Sequence, residues 1–213
     1  MKLNLNKIEK YLILSDLVFY SGWGLISPIF AIFLLNQIQG GNVLVVGLAA
    51  GINLIVRSLF RVPFGIYADK NQRRAYHLML FGLLFSALIP IGYIFARTPV
   101  HIYVLQALLG TFLAMSTAGW VCIFSRHLDK RKESTEWGID AVAVGIGPGI
   151  AGILGGIAVT FFSFNLVFIA VAIIGLIGVM ILLFIRKKIL RRKHVPAPSS
   201  AFRHYTNHTK KNI

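Results

Sequence analysis

The sequence predicts an all-α, polytopic membrane protein with six transmembrane helices, and three observations support this fold class. First, 56% of the 213 residues are hydrophobic and only 14% are charged. The mean hydropathy of +0.73 is too apolar for the polar surface of a soluble domain. Second, the apolar residues form six long, continuous segments separated by short polar stretches. Third, the basic residues are concentrated in alternate polar stretches, which is the pattern of a multi-pass membrane protein.

Each apolar segment is long enough to cross a bilayer as a helix. A hydrocarbon layer of ~30 Å requires about 20 helical residues, whereas a membrane strand needs only about 10 residues with alternating polarity. The segments are continuous rather than alternating, which favours helices. The predicted spans are residues 11–35, 43–67, 75–96, 101–124, 138–161 and 164–185.

The first segment is expected to be a retained helix that follows a short N-terminal stretch, residues 1–10. It is too long for the apolar region of a signal peptide and contains Asp16, Trp23 and Pro28. No small-residue cleavage pattern follows it before the next span.

The basic residues predict the orientation of the chain. Nineteen of the 22 Lys and Arg residues lie in the N-terminal stretch, in the loops after the second and fourth segments, and in residues 186–213. The positive-inside rule then predicts cytoplasmic N- and C-termini, in a plasma membrane protein. The net charge of +15 therefore reports topology, and the expected partner is the lipid bilayer rather than nucleic acid. Residues 186–213 are predicted to form a basic, disordered tail.

Three charged residues fall inside the apolar segments: Asp16 in the first, and Arg57 and Arg61 in the second. A mid-membrane Arg costs about 2.5–3.5 kcal/mol on insertion scales, so such residues are candidates for function. The two arginines are spaced i, i+4 and share a helix face that Asn53 continues. Depth along the helices predicts that Asp16 pairs with Arg61, leaving Arg57 to bind an anionic group or a coupling carboxylate. Alternatively, Arg61 reaches the headgroups and Arg57 closes a structural ion pair.

Aromatic residues are expected to play two roles. Tyr20 and Trp23 lie nearer the middle of the first span and are expected to line a cavity. Trp120 and Trp137 are expected to form part of the aromatic belt at the cytoplasmic interface.

The loop after the second segment contains Gly65, Asp69, Lys70, Arg73 and Arg74. A carboxylate followed by a basic cluster is expected to form a cytoplasmic latch, an ion pair that is made and broken as helices move. Asp140, at the predicted start of the fifth span, is a possible partner, although an acid there is also stabilised by the helix dipole. The alternative is an ordinary charged loop.

The fifth segment is rich in glycine. Its G-x-G-x-x-G match is not a dinucleotide fingerprint, because no strand precedes it and it lies within an apolar span. The spacing predicts two small-xxx-small pairs for close helix packing and a kink at a proline, with purely static packing as the alternative. The residues concerned are Gly145, Gly147, Pro148, Gly149, Gly152 and Gly156.

Catalytic and metal-binding motifs are not found. The single Cys122 excludes a disulfide framework and a multi-cysteine metal site. The sequence contains no H-E-x-x-H, G-x-S-x-G or Walker pattern. Neither an enzyme nor a cofactor or metal is expected.

Taken together, the loop and the fifth segment resemble the major facilitator superfamily. The superfamily loop runs Gly, three residues, Asp, a basic residue, any residue, Gly and two basic residues, and this chain departs from it only at Gln72. Gly147-Pro148, followed by Ala151-Gly152, resembles the Gly-Pro motif of the superfamily's fifth helix. Many proton-coupled members carry an Arg in the fourth helix where this chain has Gln106.

The resemblance implies a secondary transporter of a small solute that works by alternating access. The six segments correspond to half of a typical twelve-helix member, so it also implies a homodimer, or pairing with a related half, with the first and fourth helices facing the cavity. The alternative is a non-transporting assembly protein or the remnant of a longer transporter.

Overall fold

The computed structural model describes residues 5–191, and all regular structure in this part is α-helical. Five of its helices are long and apolar enough to cross a membrane, and there are six such spans if the bent pair α1–α2 is counted as one. The fold class predicted from the sequence is therefore confirmed. The helices are α1 Lys7–Ile26, α2 Phe30–Gln37, α3 Val43–Asp69, α4 Gln72–Phe95, α5 Pro99–Ser125, α6 Glu133–Phe161 and α7 Phe164–Arg191.

The first predicted span is two helices in the structure. α1 ends at Ile26, and α2 begins at Phe30 with a bend of 40° between the two axes. Pro28 explains the break, because proline has no backbone N–H and its ring clashes with the preceding turn of a helix.

Side-chain caps fix several helix starts. The Asn6 side chain accepts from the backbone of Glu9, whose carboxylate accepts from the Asn6 backbone in return. The Asn42 and Asn71 side chains cap α3 and α4 by accepting from the backbone N–H groups of Val45 and Arg74. These caps keep the connections short, so sequential helices run antiparallel.

Apart from the break in the first span, two helix ends differ from the predicted ends by five residues or more. α6 begins at Glu133, five residues before the predicted start, because Glu133 and Glu136 favour the first turn of a helix. α7 continues to Arg191, beyond the predicted end at 185, since Lys and Arg are good helix formers whose charged ends can reach water. Residues 192–213, and with them most of the predicted tail, lie outside the described residues.

The helices pack in one order, α3–α5–α4–α7–α1–α6. This order is symmetric. If each of the first three spans is exchanged with its counterpart among the last three, α1–α2 with α5, α3 with α6 and α4 with α7, the same order is read in reverse. The bundle is thus built from two three-helix repeats of inverted topology. The repeat places α3 and α6 at the two edges, each with one extensive neighbour.

The core lies between the inner helices, while the edge helices are exposed. Phe33, Tyr93 and Phe168 are buried and pack with ring centroids 4.9–6.4 Å apart. In contrast, Leu59 on α3 is 67% exposed and Ile153 on α6 is 70% exposed. Lipid or another protein chain must cover these apolar faces in a membrane.

Candidate intramembrane binding site

A cavity of about 180 Å³ lies between α1, α3, α4, α5 and α6, toward the end of the bundle that carries the basic loops. It takes residues from both three-helix repeats, and we call it the central cavity. Its lining residues are Asp16, Phe19, Tyr20, Arg61, Leu83, Leu113, Ser116, Thr117, Trp120, Val121, Trp137, Asp140 and Val144.

Two carboxylates from different helices line the central cavity. They are Asp16 on α1 and Asp140 on α6. Asp140 is only 9% exposed, and its Oδ1 atom has no hydrogen-bond partner within the described part of the chain. No three His, Cys, Asp or Glu side chains among residues 5–191 come together as a metal site.

The predicted partnership of Asp140 with the basic loop needs correction. Because α6 begins at Glu133, Asp140 lies seven residues into the helix, ~10 Å along its axis. Asp140 lines the central cavity together with Asp16, and it forms no ion pair with Arg73 or Arg74 in the described part of the chain.

Arg57 is held by polar groups at the side of the cavity. Its guanidinium donates to Thr117 Oγ1 on α5 at 3.4 Å and lies near Tyr20 on α1. Arg57 on α3 thereby contacts α5 beside α1.

Asn53 and Gln106 form a second polar contact between α3 and α5. Asn53 Nδ2 donates to the Gln106 backbone oxygen at 3.2 Å, and the Gln106 side chain is buried. The two helices approach closely here because Gly110 has no side chain. A β-carbon on Gly110 would lie only 2.7 Å from the Asn53 backbone oxygen. Gln106 and Asn53 therefore belong to the α3–α5 seam, and neither lines the central cavity.

The predicted ion pair between Asp16 and Arg61 is not formed in the structure. Both residues line the cavity, but the ion pair found within residues 5–191 joins Lys132 to Asp129. Asp16 and Arg61 match in depth, yet α1 packs on α6 and α7 whereas α3 packs on α5. Lateral separation therefore keeps the two charges apart.

Aromatic side chains form one wall of the cavity. The rings of Trp120 and Trp137 have centroids 5.6 Å apart, and Trp120 is 7% exposed with an Nε1 donor that lacks a partner in the described part. Trp120 thus faces the interior of the bundle, whereas a residue of an aromatic belt would be exposed to lipid. The i, i+4, i+7 spacing of Leu113, Thr117 and Trp120 places them on one face of α5 and is the signal that identifies it. Trp23 packs on Phe19 behind the lining residues, with ring centroids 6.5 Å apart.

Comparison with known proteins identifies the family. The sequence profile of the Major Facilitator Superfamily matches residues 12–211, nearly the whole chain. The chain belongs to the Major Facilitator Superfamily. It is also 24% identical over 160 residues to an uncharacterized MFS-type transporter of Methanocaldococcus jannaschii. That alignment covers 75% of this chain and 40% of the relative's length.

The glycines of the Gly-Pro motif bring α6 against α1. A β-carbon on Gly24 of α1 would lie 2.6 Å from the Pro148 Cα, and one on Gly155 would collide with the Leu25 backbone. Gly147 also faces α1, against Leu17. The proline of α6 thus sits beside the end of α1, near the break before α2.

The predicted small-residue pairs do not make these contacts. A β-carbon at Gly145, Gly149 or Gly156 would meet nothing within 4 Å, and one at Gly152 would lie at an ordinary 3.5 Å from the Gly24 oxygen. The reason is that α6 is an edge helix with one extensive neighbour in this chain, so only its face toward α1 is in contact.

In the superfamily's signature loop, the structure does not form the predicted latch. Asp69 ends α3, Lys70 follows as its cap, and the described chain shows no ion pair of Asp69 with Arg73 or Arg74. Arg126 instead donates to the Asp69 backbone oxygen at 2.9 Å. Arg74 lies over the ring of Tyr67, 5.0 Å from its centroid. A β-carbon on Gly65 would meet nothing within 4 Å, so Gly65 does not serve close helix packing in the described part of the chain.

Proposed function

We propose that this protein is a secondary transporter of a small solute and that it works by alternating access. The central cavity carries the proposal, because it places intramembrane charges from both three-helix repeats around one space. Charged residues at membrane depth are costly and mark solute or ion pathways. Membership of the Major Facilitator Superfamily and similarity to an MFS-type transporter support the same function.

The proposed working unit is a parallel dimer of six-helix bundles, formed by two copies of this chain or by this chain and a related half. In the superfamily, two such halves are related by an axis along the membrane normal, with the solute near the midplane between them. The exposed apolar edges on α3 and α6 support this arrangement, since they flank the cavity and lack a neighbour in the chain.

The proposed orientation places both termini in the cytoplasm of a plasma membrane protein. Asp69, Lys70, Arg73 and Arg74 then lie at the cytoplasmic end, and the latch expected there forms in a state other than the one described. The contact between Gly24 and Pro148 couples α1 to α6 during the change of access, because a proline in a helix allows bending. Solute binding changes which state is favoured.

The test is uptake by purified protein in proteoliposomes, screened over anionic, cationic and neutral solutes with and without a pH gradient. We expect saturable flux of one solute class, absent from protein-free vesicles. Dependence on the gradient tests proton coupling in a chain with Gln106 at the position of the usual Arg. Absence of flux for every solute would favour the alternative, a membrane assembly protein.

A further inference from the structure

We propose that the inner part of the central cavity binds the ammonium group of a small organic amine. This inference rests on the proposed function, for which it names the class of solute. It is carried by three features of the cavity: two carboxylates without a cationic partner, an aromatic wall, and an apolar remainder.

The carboxylates form the anionic part of the proposed site. Asp16 and Asp140 line the same cavity, and the ion pair formed within residues 5–191 involves neither of them. An unpaired charge in a low-dielectric interior is strongly unfavourable, so a cation in the cavity stabilises this arrangement. Asp140 lines the cavity, and its buried Oδ1 has no hydrogen-bond partner in the described part of the chain, so this atom requires a hydrogen-bond donor. An ammonium group supplies both the charge and up to three donors.

The aromatic wall favours an organic cation over a neutral hydrogen-bond donor. The rings of Trp120, Trp137 and Tyr20 line the same space as the two carboxylates. Cations bind to the faces of Trp and Tyr rings through the ring quadrupole, and this attraction strengthens when the cation is desolvated.

The rest of the cavity sets the size and polarity of the amine. Most of the remaining lining is apolar, with the hydroxyl groups of Ser116 and Thr117 beside it, and the volume is about 180 Å³. The apolar residues are Phe19, Leu83, Leu113, Val121 and Val144. These surfaces fit a short alkyl chain or one aromatic ring attached to the ammonium group. A peptide or a sugar chain is too large for this space.

The two arginines do not turn the site into an anion receptor. The Arg57 guanidinium donates to Thr117 and does not line the cavity. Arg61 is exposed, whereas Asp140 is buried, so the positive charge lies at the outer side of the cavity and the negative charge at the inner side. Substitution of Arg61 therefore tests whether the ligand carries a positive or a negative charge.

The experiment measures binding by tryptophan fluorescence in the purified full chain in detergent. The chain has three Trp residues, so Trp23→Phe leaves Trp120 and Trp137, both in the cavity, as reporters. The probes are benzylamine, benzyl alcohol and benzoate, which share a ring and differ in charge. We expect benzylamine to bind about tenfold or more tightly than benzyl alcohol, and benzoate to bind more weakly than either.

Substitutions then assign the site. Asp140→Asn and Asp16→Asn are each expected to weaken benzylamine binding about tenfold or more, and Asp140→Glu to restore part of it. The matched control is Glu133→Gln, the same change of charge at an exposed position in the first turn of α6, which is expected to leave binding unchanged. Arg61→Gln is expected to retain or strengthen benzylamine binding. Thermal unfolding of each variant checks that it remains folded.

The proposal fails if no probe changes the fluorescence, if Asp140→Asn binds benzylamine like its parent, or if benzoate binds best and Arg61→Gln abolishes its binding. Because binding in detergent requires no flux, the result is separate from the test of transport. Benzylamine binding without flux in proteoliposomes would keep the amine site and reject the transporter. Flux of another solute without amine binding would keep the transporter and reject the amine site.

Discussion

At the scale of single residues, Arg57 makes the most connections of the intramembrane charges. Its guanidinium donates to Thr117 on α5 and lies near Tyr20 on α1, while its backbone belongs to α3. An Arg at membrane depth persists when polar groups satisfy its five N–H donors. A side chain that lies among three helices beside a cavity is suited to sense their relative movement.

We predict that Arg57→Gln lowers the rate of uptake in proteoliposomes more than tenfold, because the amide cannot keep both the charge and the contact with Thr117. The measurement is the initial rate of flux at equal protein per vesicle. The matched control is Arg97→Gln, the same change at an exposed position in the turn between α4 and α5, for which we expect a rate within about twofold of the parent. A full rate for Arg57→Gln would limit Arg57 to a dispensable structural contact.

The sequence identified the charged residues within the apolar segments and their depth along each helix, but not the lateral distances between them. Asp16, Tyr20 and Arg61 were selected from their depth in apolar segments, and the structure brings all three to one cavity. Depth along a helix does not give lateral distance, so the expected pairing of Asp16 with Arg61 was wrong. The sequence did not place Asp140 and Trp120 in the cavity, because both were assigned from the ends of apolar segments, and a segment end does not show which face of its helix turns inward.

At the scale of elements, α6 shows how one glycine-rich helix can have two different faces. Gly155 lies against the backbone of Leu25, at a distance that leaves no room for a β-carbon, whereas Gly149 faces open space. Glycine in a helix is otherwise unfavourable relative to alanine by about 1 kcal/mol. The close contact accounts for Gly155, and the open face leaves Gly149 available to a neighbour from another chain.

We predict that Gly155→Ala lowers the free energy of unfolding by about 1–3 kcal/mol, since the new methyl group collides with backbone atoms that cannot rotate away. Gly149→Ala is the matched control on the same helix, and we expect its free energy of unfolding to change by less than about 1 kcal/mol. Both are measured by denaturant unfolding of the monomer in detergent. Equal effects of the two substitutions would show that α1 and α6 do not meet at Gly155.

At the scale of the whole molecule, the packing order determines which surfaces remain uncovered. Because α3 and α6 are at opposite ends of the order, a two-fold axis along the membrane normal brings α3 of one copy to α6 of the other. Ser58 lies 11 residues from the end of α3 and Gly145 lies 12 residues from the start of α6, so both are at a depth of ~17 Å. Both positions are exposed and contact no other helix closely.

We predict that a chain carrying Ser58→Cys and Gly145→Cys, with Cys122→Ser to remove the single native thiol, forms a disulfide-linked dimer in native membranes under mild oxidation. Electrophoresis without reductant measures it. The control replaces the pair by Ile177→Cys on the exposed face of α7, which lies in the middle of the packing order and is expected to remain monomeric. A monomer from both chains would count against the proposed pairing of α3 with α6.

The sequence by itself determined that this is an all-helical membrane protein with six apolar spans, because continuous apolar segments of sufficient length have no other stable form in a bilayer. It also determined the motifs that relate the chain to its superfamily, since these depend on residue type and local spacing. Only the tertiary structure decided which residues meet. The packing order keeps Asp16 from pairing with Arg61 and brings Asp16 and Asp140 to the same cavity. It also turns Gly155 rather than Gly149 toward α1. Those outcomes depend on the lateral position and rotation of each helix, which an apolar pattern within one helix does not specify.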